Sequence, residues 1–138
     1  MGAWDYGTLD NDDAQDFIND LLATRGDRWR IVEAALDLIA HPSDSAEEAD
    51  ESAALAASEV VAAAASGSAA EELDSELAAW AVRASPKNLY RLAQRAITVV
   101  GSISTQSELR ESWSHSGDLQ PWLGALEELK RRLTITIH

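Results

Sequence analysis

Apolar residues recur every three to four positions along nearly the whole chain, which is the spacing of one face of an α-helix. The first of these stripes predicts a helix that is capped by Asn11 or Asp12 and runs to about Ala23. A second helix is predicted over residues 27–40, because Pro42 follows and cannot continue it. The pattern therefore favours helices rather than strands from the start of the chain.

The middle of the chain, "SDSAEEADESAALAASEVVAAAAS", is polar in its first half and almost entirely Ala, Val and Leu in its second. A helix that is apolar on all sides must be surrounded by other elements. We therefore predict a long Ala-rich helix at the centre of the fold, which Gly67 ends.

Local signals predict the elements that follow the central helix. Ser68 and Glu71 have the spacing of a capping box, which predicts a helix over about 69–84. The Ser-Pro pair at 85–86 marks the start of the next helix, and Gly101 is predicted to interrupt it.

The remaining segments predict a helical turn over 108–114 and a last helix that opens at Asp118. The tail "TITIH" alternates β-branched residues, so it is either a short strand or a frayed end. With 138 residues, we predict one all-α domain over residues 1–138, a bundle of about six or seven helices around the Ala-rich central helix.

The charge of the chain is strongly acidic and unevenly placed. Residues 1–82 hold 19 acidic and 3 basic side chains, whereas residues 83–138 hold 5 acidic and 8 basic ones. Such a surface repels nucleic acid and anionic membranes and attracts a cationic protein. There is no cysteine, no apolar run of membrane-spanning length and no secretory signal pattern, so we expect a soluble cytoplasmic protein.

An acidic cluster near the N-terminus, formed by Asp10, Asp12, Asp13 and Asp16, has two interpretations. Its carboxylates could bind a divalent cation, but Ala14 occupies a position where an EF-hand loop needs an oxygen ligand. Helix capping and the favourable helix dipole explain the cluster without a metal, so we assign no metal site and expect no cofactor.

Glu59 is the most unusual single residue, because it lies within the apolar half of the central helix. A buried carboxylate needs a partner. One interpretation is a catalytic or metal-binding group, and the other is a structural acceptor for Arg83, Arg91, Arg95 or the N-terminal backbone. In either case we expect the N-terminal segment to pack over this helix.

Five tryptophans lie in five different segments, and most are expected to join helices in the core. Trp4, together with Tyr6, is predicted to fold onto the central helix near Glu59. Trp113 lies beside the loop "SHSGD" and is predicted to be the most exposed, as a possible interface residue. The three histidines have no spacing typical of a zinc site.

Several segments carry a resemblance to a known family. They are "MGAW" with Gly7, the run "LDNDDAQDF", the helix "AASEVVAAAASG" and the later stretches "LAAWAVRA", "ELRESW" and "WLGALEELKRRL". In these the chain resembles a bacterial family known as domain of unknown function 4259. The resemblance implies a small, mostly helical single domain and brings no established catalytic residues with it.

Three functions remain open from the sequence. The first is a protein-binding module, such as an immunity-type inhibitor of a cationic toxin or nuclease, which the negative charge of residues 1–82 favours. The second is a metal-assisted enzyme that uses Glu59 with the N-terminal carboxylates. The third is a structural protein that forms homo-oligomers through a helix face bearing a tryptophan.

Overall fold

The computed structural model of the chain describes residues 7–41, 47–67 and 72–134. These ranges contain no β-strand, and they confirm the predicted all-α bundle. The helices in them are α1 (Asp12–Ala23), α2 (Arg28–Ala40), α3 (Glu48–Ser66), α4 (Ser75–Arg83), α5 (Leu89–Thr105), α6 (Glu108–Ser116) and α7 (Leu119–Thr134).

Helix α3 is the centre of the bundle, as its Ala-rich sequence predicts. It contacts each of the other six helices, and its residues 54–63 are all buried. Alanine side chains leave little bulk on the helix surface, so neighbouring helices approach closely on every side. Gly67 ends α3 with a φ of 75°, a left-handed conformation that glycine adopts without strain.

The predicted starts of the first two helices are confirmed by their caps. The side chain of Asn11 accepts a hydrogen bond from the backbone N–H of Ala14 at 2.8 Å. The carboxylate of Asp27 accepts one from the N–H of Arg30 at 3.3 Å. Each cap satisfies an amide that the helix itself leaves without a partner.

Helix α4 begins later than the sequence signals indicate. The capping-box pair Ser68 and Glu71 lies outside the described residues. Residues 72–74 form a turn, and the helix starts at Ser75 because the Asp74 carboxylate accepts from the N–H groups of Glu76 and Leu77. The prediction of helix over 72–74 was therefore wrong.

Helix α5 also differs from its prediction at both ends. Asn88 is its N-terminal cap rather than Ser85, and the helix continues through Gly101 to Thr105. A helical glycine costs about 1 kcal/mol relative to alanine. Continuing the helix places Ile103 in the core, which contributes about 1.5–3 kcal/mol, so burial outweighs the local preference for a break.

The C-terminal helices follow the sequence pattern closely. Helix α6 ends at Gly117 with a φ of 89°, and the carbonyl of Asp118 accepts the first hydrogen bond of the last helix, from the Trp122 N–H at 3.2 Å. Most of the "TITIH" tail, residues 135–138, lies outside the described residues. None of the helices in the described ranges is both long and apolar enough to cross a membrane.

Candidate functional site

The carboxylate of Glu59 lies in the core and is held by two partners. Its side chain is 3 % exposed, and Arg132 on α7 donates a hydrogen bond from Nη1 to Oε1 at 3.0 Å. The hydroxyl of Thr8, from the segment that precedes α1, donates to Oε2. This Thr8–Glu59–Arg132 clamp attaches the N-terminal segment and the last helix to the centre of α3.

The expected basic partners of Glu59 were wrong. Arg95 pairs instead with Asp37 and so links α5 to α2. Arg132 is one of three consecutive basic residues between the buried Leu129 and Leu133 of α7, and no pattern in the sequence distinguishes it from Lys130 or Arg131.

The N-terminal residues considered as companions of Glu59, which are Trp4, Tyr6, Asp10, Asp12 and Asp16, are not all brought to it by the described structure. Asp12 and Asp16 are exposed on α1, whereas Asp10 is partly buried in a turn in which its N–H donates to the carbonyl of Gly7 at 3.2 Å. A side chain at Gly7 would collide with the Asp10 carboxylate. Trp4 and Tyr6 lie outside the described residues.

No three acidic or histidine side chains within residues 7–41, 47–67 and 72–134 come together in a way that suits a metal ion. Both carboxylate oxygens of Glu59 accept hydrogen bonds from protein groups. The metal-assisted hypothesis stays a prediction that no geometry in this part of the chain favours.

A groove of about 260 Å³ lies where the beginnings of α1 and α3 meet α6. From α1 and its cap it is lined by Asn11 and Asp13, and from α3 by Glu48 and Ser52. We call it the α1–α3–α6 groove. Ser52 is 2 % exposed and its side chain forms no hydrogen bond within the described ranges, whereas buried hydroxyls normally have a partner.

Helix α6 supplies the other wall of this groove through Leu109, Ser112, Trp113 and Ser116. The indole of Trp113 stacks on that of Trp122, with ring centroids 6.3 Å apart and an interplanar angle of 18°. Trp113 is half-buried, as are Trp29 and Trp80, so its place as the most exposed tryptophan stays a prediction. Its ring has an orientation fixed by Trp122 while part of its surface lines the groove.

The carboxylate of Glu51 lies beneath this region and connects α3 to α6. It accepts from the backbone N–H of Leu109 at 2.9 Å and from that of Glu108 at 3.3 Å, and so caps α6 from another helix. Burial raises the pKa of the Glu51 carboxyl, the two N–H groups oppose that rise, and the nearby carboxylates of Glu108 and Glu48 add to it.

The raised pKa of Glu51 predicts a pH-dependent stability. The folded state holds this proton more tightly than the unfolded state, so its contribution is present below about pH 4.5 and is lost as the pH rises through the folded pKa. Glu51→Gln stays neutral at every pH. We expect its free energy of unfolding, relative to the native chain, to rise with pH across that window.

Urea denaturation at a series of pH values from 4 to 7 measures this difference. Glu111→Gln is the matched control, because Glu111 lies on the same helix as the amides that Glu51 caps but is exposed to solvent. A difference for Glu51→Gln that is flat with pH would contradict the assignment.

One side of α1 carries a row of unpaired negative charge. Asp12, Asp16 and Asp20 are all exposed and follow one another at i, i+4 spacing, and we call them the aspartate stripe. None of them forms an ion pair within the described ranges. The helix dipole favours Asp12 in the first turn but opposes Asp20 in the last, where α1 has no basic residue.

The ion pairs of the described residues lie elsewhere, and their cations come from α5 and α7. They are Arg95 with Asp37, Lys130 with Glu127, Arg131 with Glu128 and Arg132 with Glu59. Because these basic groups are matched by nearby carboxylates, they do not neutralise the acidic side of α1.

The profile of a family described as Domain of unknown function (DUF4259) matches residues 2–125, which is most of the chain. The chain belongs to the DUF4259 family. Neither the curated proteins nor the solved structures gave a match.

The DUF4259 match covers every residue that lines the α1–α3–α6 groove, and it covers the aspartate stripe and Glu59. Arg132 lies beyond the matched residues. In the clamp of this DUF4259 protein, therefore, Thr8 and Glu59 fall within the family region and the cation comes from the segment that follows it.

Proposed function

We propose that this protein is a protein-binding module that takes a cationic protein partner on the acidic side of α1. The observation that carries the proposal is the aspartate stripe, three exposed carboxylates on one helix face with no ion-pair partner within the described ranges. The helix dipole explains Asp12 in the first turn, but it does not explain Asp16 or Asp20.

The stripe carries a cost in the free protein. Like charges at i, i+4 on a helix destabilise it by about 0.2–0.5 kcal/mol per pair, and the stripe holds two such pairs. A basic surface placed against α1 would turn this repulsion into attraction. The arrangement is thus unfavourable for the protein alone and favourable for a complex.

The distribution of charge over the chain supports the same conclusion. Residues 1–82 carry 19 acidic and 3 basic side chains, and the described basic groups of α7 are all occupied by ion pairs, two within α7 and one with Glu59. A surface with one sign of charge steers an oppositely charged partner and raises its association rate. An immunity-type inhibitor of a basic toxin or nuclease is the form of this function that we favour, since enzymes that bind nucleic acid have cationic surfaces.

The test compares how tightly the native chain and a stripe variant bind a captured basic partner. The stripe variant carries Asp12→Asn, Asp16→Asn and Asp20→Asn, which remove the charges of the aspartate stripe. The native chain serves as bait in a lysate of the cells that carry its gene, and the captured protein is purified for calorimetry. We expect the variant to bind at least about tenfold more weakly than the native chain at 50 mM salt. We also expect the native affinity to fall steeply at 300 mM salt.

The matched control removes the same number of charges elsewhere, with Glu33→Gln, Glu72→Gln and Glu76→Gln on other exposed positions. It should keep most of the affinity, and the stripe variant should be as stable as the native chain or slightly more so. Capture of no basic protein at either salt concentration would count against the proposal, and so would an equal loss in both triple variants.

A further inference from the structure

The α1–α3–α6 groove has the features of a ligand site rather than of an ordinary surface depression. Ser52 lines it with a hydroxyl that is 2 % exposed and has no hydrogen-bond partner within the described ranges. A buried hydroxyl without a partner is rare in folded proteins. Something that enters the groove would supply that missing hydrogen bond.

The charge of the groove selects a cation. Asp13 and Glu48 line it, and no basic side chain does. It lies at the N-termini of α1 and α3, but each N-terminus carries only about half a positive charge. Some of the amides at these ends are also engaged, that of Ala14 by the Asn11 cap on α1 and those of Glu47 and Asp50 by the capping box on α3. Two carboxylates therefore outweigh the dipoles.

The apolar wall of the groove favours one kind of cationic ligand, a planar cation on an apolar stem. Trp113 and Leu109 form this wall, and stacking on Trp122 fixes the indole. Guanidinium groups stack on indole rings and carry five N–H donors in one plane, whereas an ammonium group is compact and strongly hydrated. Among the acceptors that line the groove are the carboxylates of Asp13 and Glu48 and the hydroxyl of Ser52.

The size of the groove limits the occupant to one side chain. Pockets that enclose drug-sized ligands hold about 300–1,000 Å³. This groove holds about 260 Å³ and is open to solvent on one side. Glu48 is already positioned, because the Ser112 hydroxyl donates to its Oε1 at 2.8 Å and joins α3 to α6.

We infer that the α1–α3–α6 groove is a receptor for a single arginine side chain of the cationic partner, with the guanidinium between Trp113 and the carboxylates of Asp13 and Glu48 and a hydrogen bond to Ser52. This rests on the proposed function, since that partner supplies the arginine. It adds a specific anchor to an attraction that otherwise depends on charge alone.

The experiment titrates the full 138-residue chain with a blocked Gly-Arg-Gly peptide at low salt and follows it by NMR. The indole N–H signal of Trp113, assigned with Trp113→Phe, and the amide of Ser52 are the reporters. We expect both to shift saturably, with a dissociation constant on the order of a few millimolar. The same peptide with citrulline, which is neutral and nearly the same shape, should bind at least about tenfold more weakly.

Two pairs of variants locate the site. We expect the affinity for the arginine peptide to fall about threefold or more in Ser52→Ala and in Glu48→Gln. The matched changes, Ser114→Ala and Glu111→Gln at exposed positions of α6, should leave that affinity unchanged. Ser52→Ala removes a hydroxyl that makes no hydrogen bond within the described residues, so the fold should persist, and the amide spectrum checks it. Shifts that do not saturate, equal binding of the citrulline peptide, or equal affinity in Ser52→Ala and Ser114→Ala would overturn the inference.

The outcome is separable from that of the proposed function, because no member of the aspartate stripe lines the groove. If the stripe variant loses the captured partner while the arginine peptide leaves Trp113 unchanged, only the groove inference fails. If the peptide binds in the groove and no basic partner is captured, the proposed function fails and the arginine site stands.

Discussion

Replacing Trp122 with alanine is expected to lower the free energy of unfolding by about 3–5 kcal/mol, the range typical of large aromatic residues in cores. The side chain is 1 % exposed and lies between the bundle core and the indole of Trp113. Domains of this size are stable by about 5–15 kcal/mol, so the variant should be close to the limit of folding at room temperature. Urea denaturation followed by circular dichroism measures the loss without relying on tryptophan fluorescence.

Trp113→Ala is the comparison that makes this result specific. Trp113 is the other member of the stacked pair, but it is half-buried, so its removal should cost about 1–2 kcal/mol. Trp122→Phe keeps an aromatic ring in the core, so its free energy of unfolding should lie between those of the native chain and Trp122→Ala. If Trp113→Ala were the more destabilising change, α6 rather than the start of α7 would anchor this end of the bundle.

The parts of the fold that the sequence predicts well are those that local chemistry decides. Asn11 and Asp27 are good caps, and α1 and α2 begin where these residues stand. The run from Leu55 to Ala63 has no polar face apart from Ser58 and Glu59, so a central position was the only one that removes it from water. In these cases local preference and tertiary packing favour the same structure.

The errors arise where local preference and packing compete. Gly101 indicates a helix end because glycine is a poor helix former. The apolar pattern of the sequence does not show how much free energy the burial of Ile103 contributes two residues later. Asp74 is the N-cap of α4 because its carboxylate accepts hydrogen bonds from two N–H groups of the first turn. Such competitions depend on free energies that only the assembled bundle determines.

The candidate site was predictable only in part, for a geometric reason. Glu59 was identifiable as a buried carboxylate from the sequence. Arg132 is its partner because α7 packs against α3 next to Glu59, which the sequence does not show. The groove joins α1, α3 and α6, whose lining residues Asn11, Glu48 and Trp113 are far apart in the chain. A missing hydrogen bond at Ser52 has no signature in sequence at all, because it is a property of the surroundings.

Arg132→Met is the second change with a large expected effect, a loss of about 3 kcal/mol in the free energy of unfolding. The substitution keeps much of the side-chain volume but removes the cation, which leaves the Glu59 carboxylate buried with only the Thr8 hydroxyl as a partner. Removing one member of a buried ion pair is costly because the remaining charge has already lost its water. Thermal and urea denaturation at neutral pH measure the loss.

The double variant Glu59→Met with Arg132→Met separates the cost of an unpaired charge from the value of the pair. Replacing both members of a buried ion pair by apolar residues is often neutral, so we expect the double variant to recover most of what Arg132→Met loses. The same change at the neighbouring residue, Arg131→Met, removes an exposed pair with Glu128 and should leave stability nearly unchanged. If the double variant were no more stable than Arg132→Met, neutralising Glu59 could not be the main role of Arg132. The clamp would then stabilise the protein mainly by holding the N-terminal segment and α7 against α3.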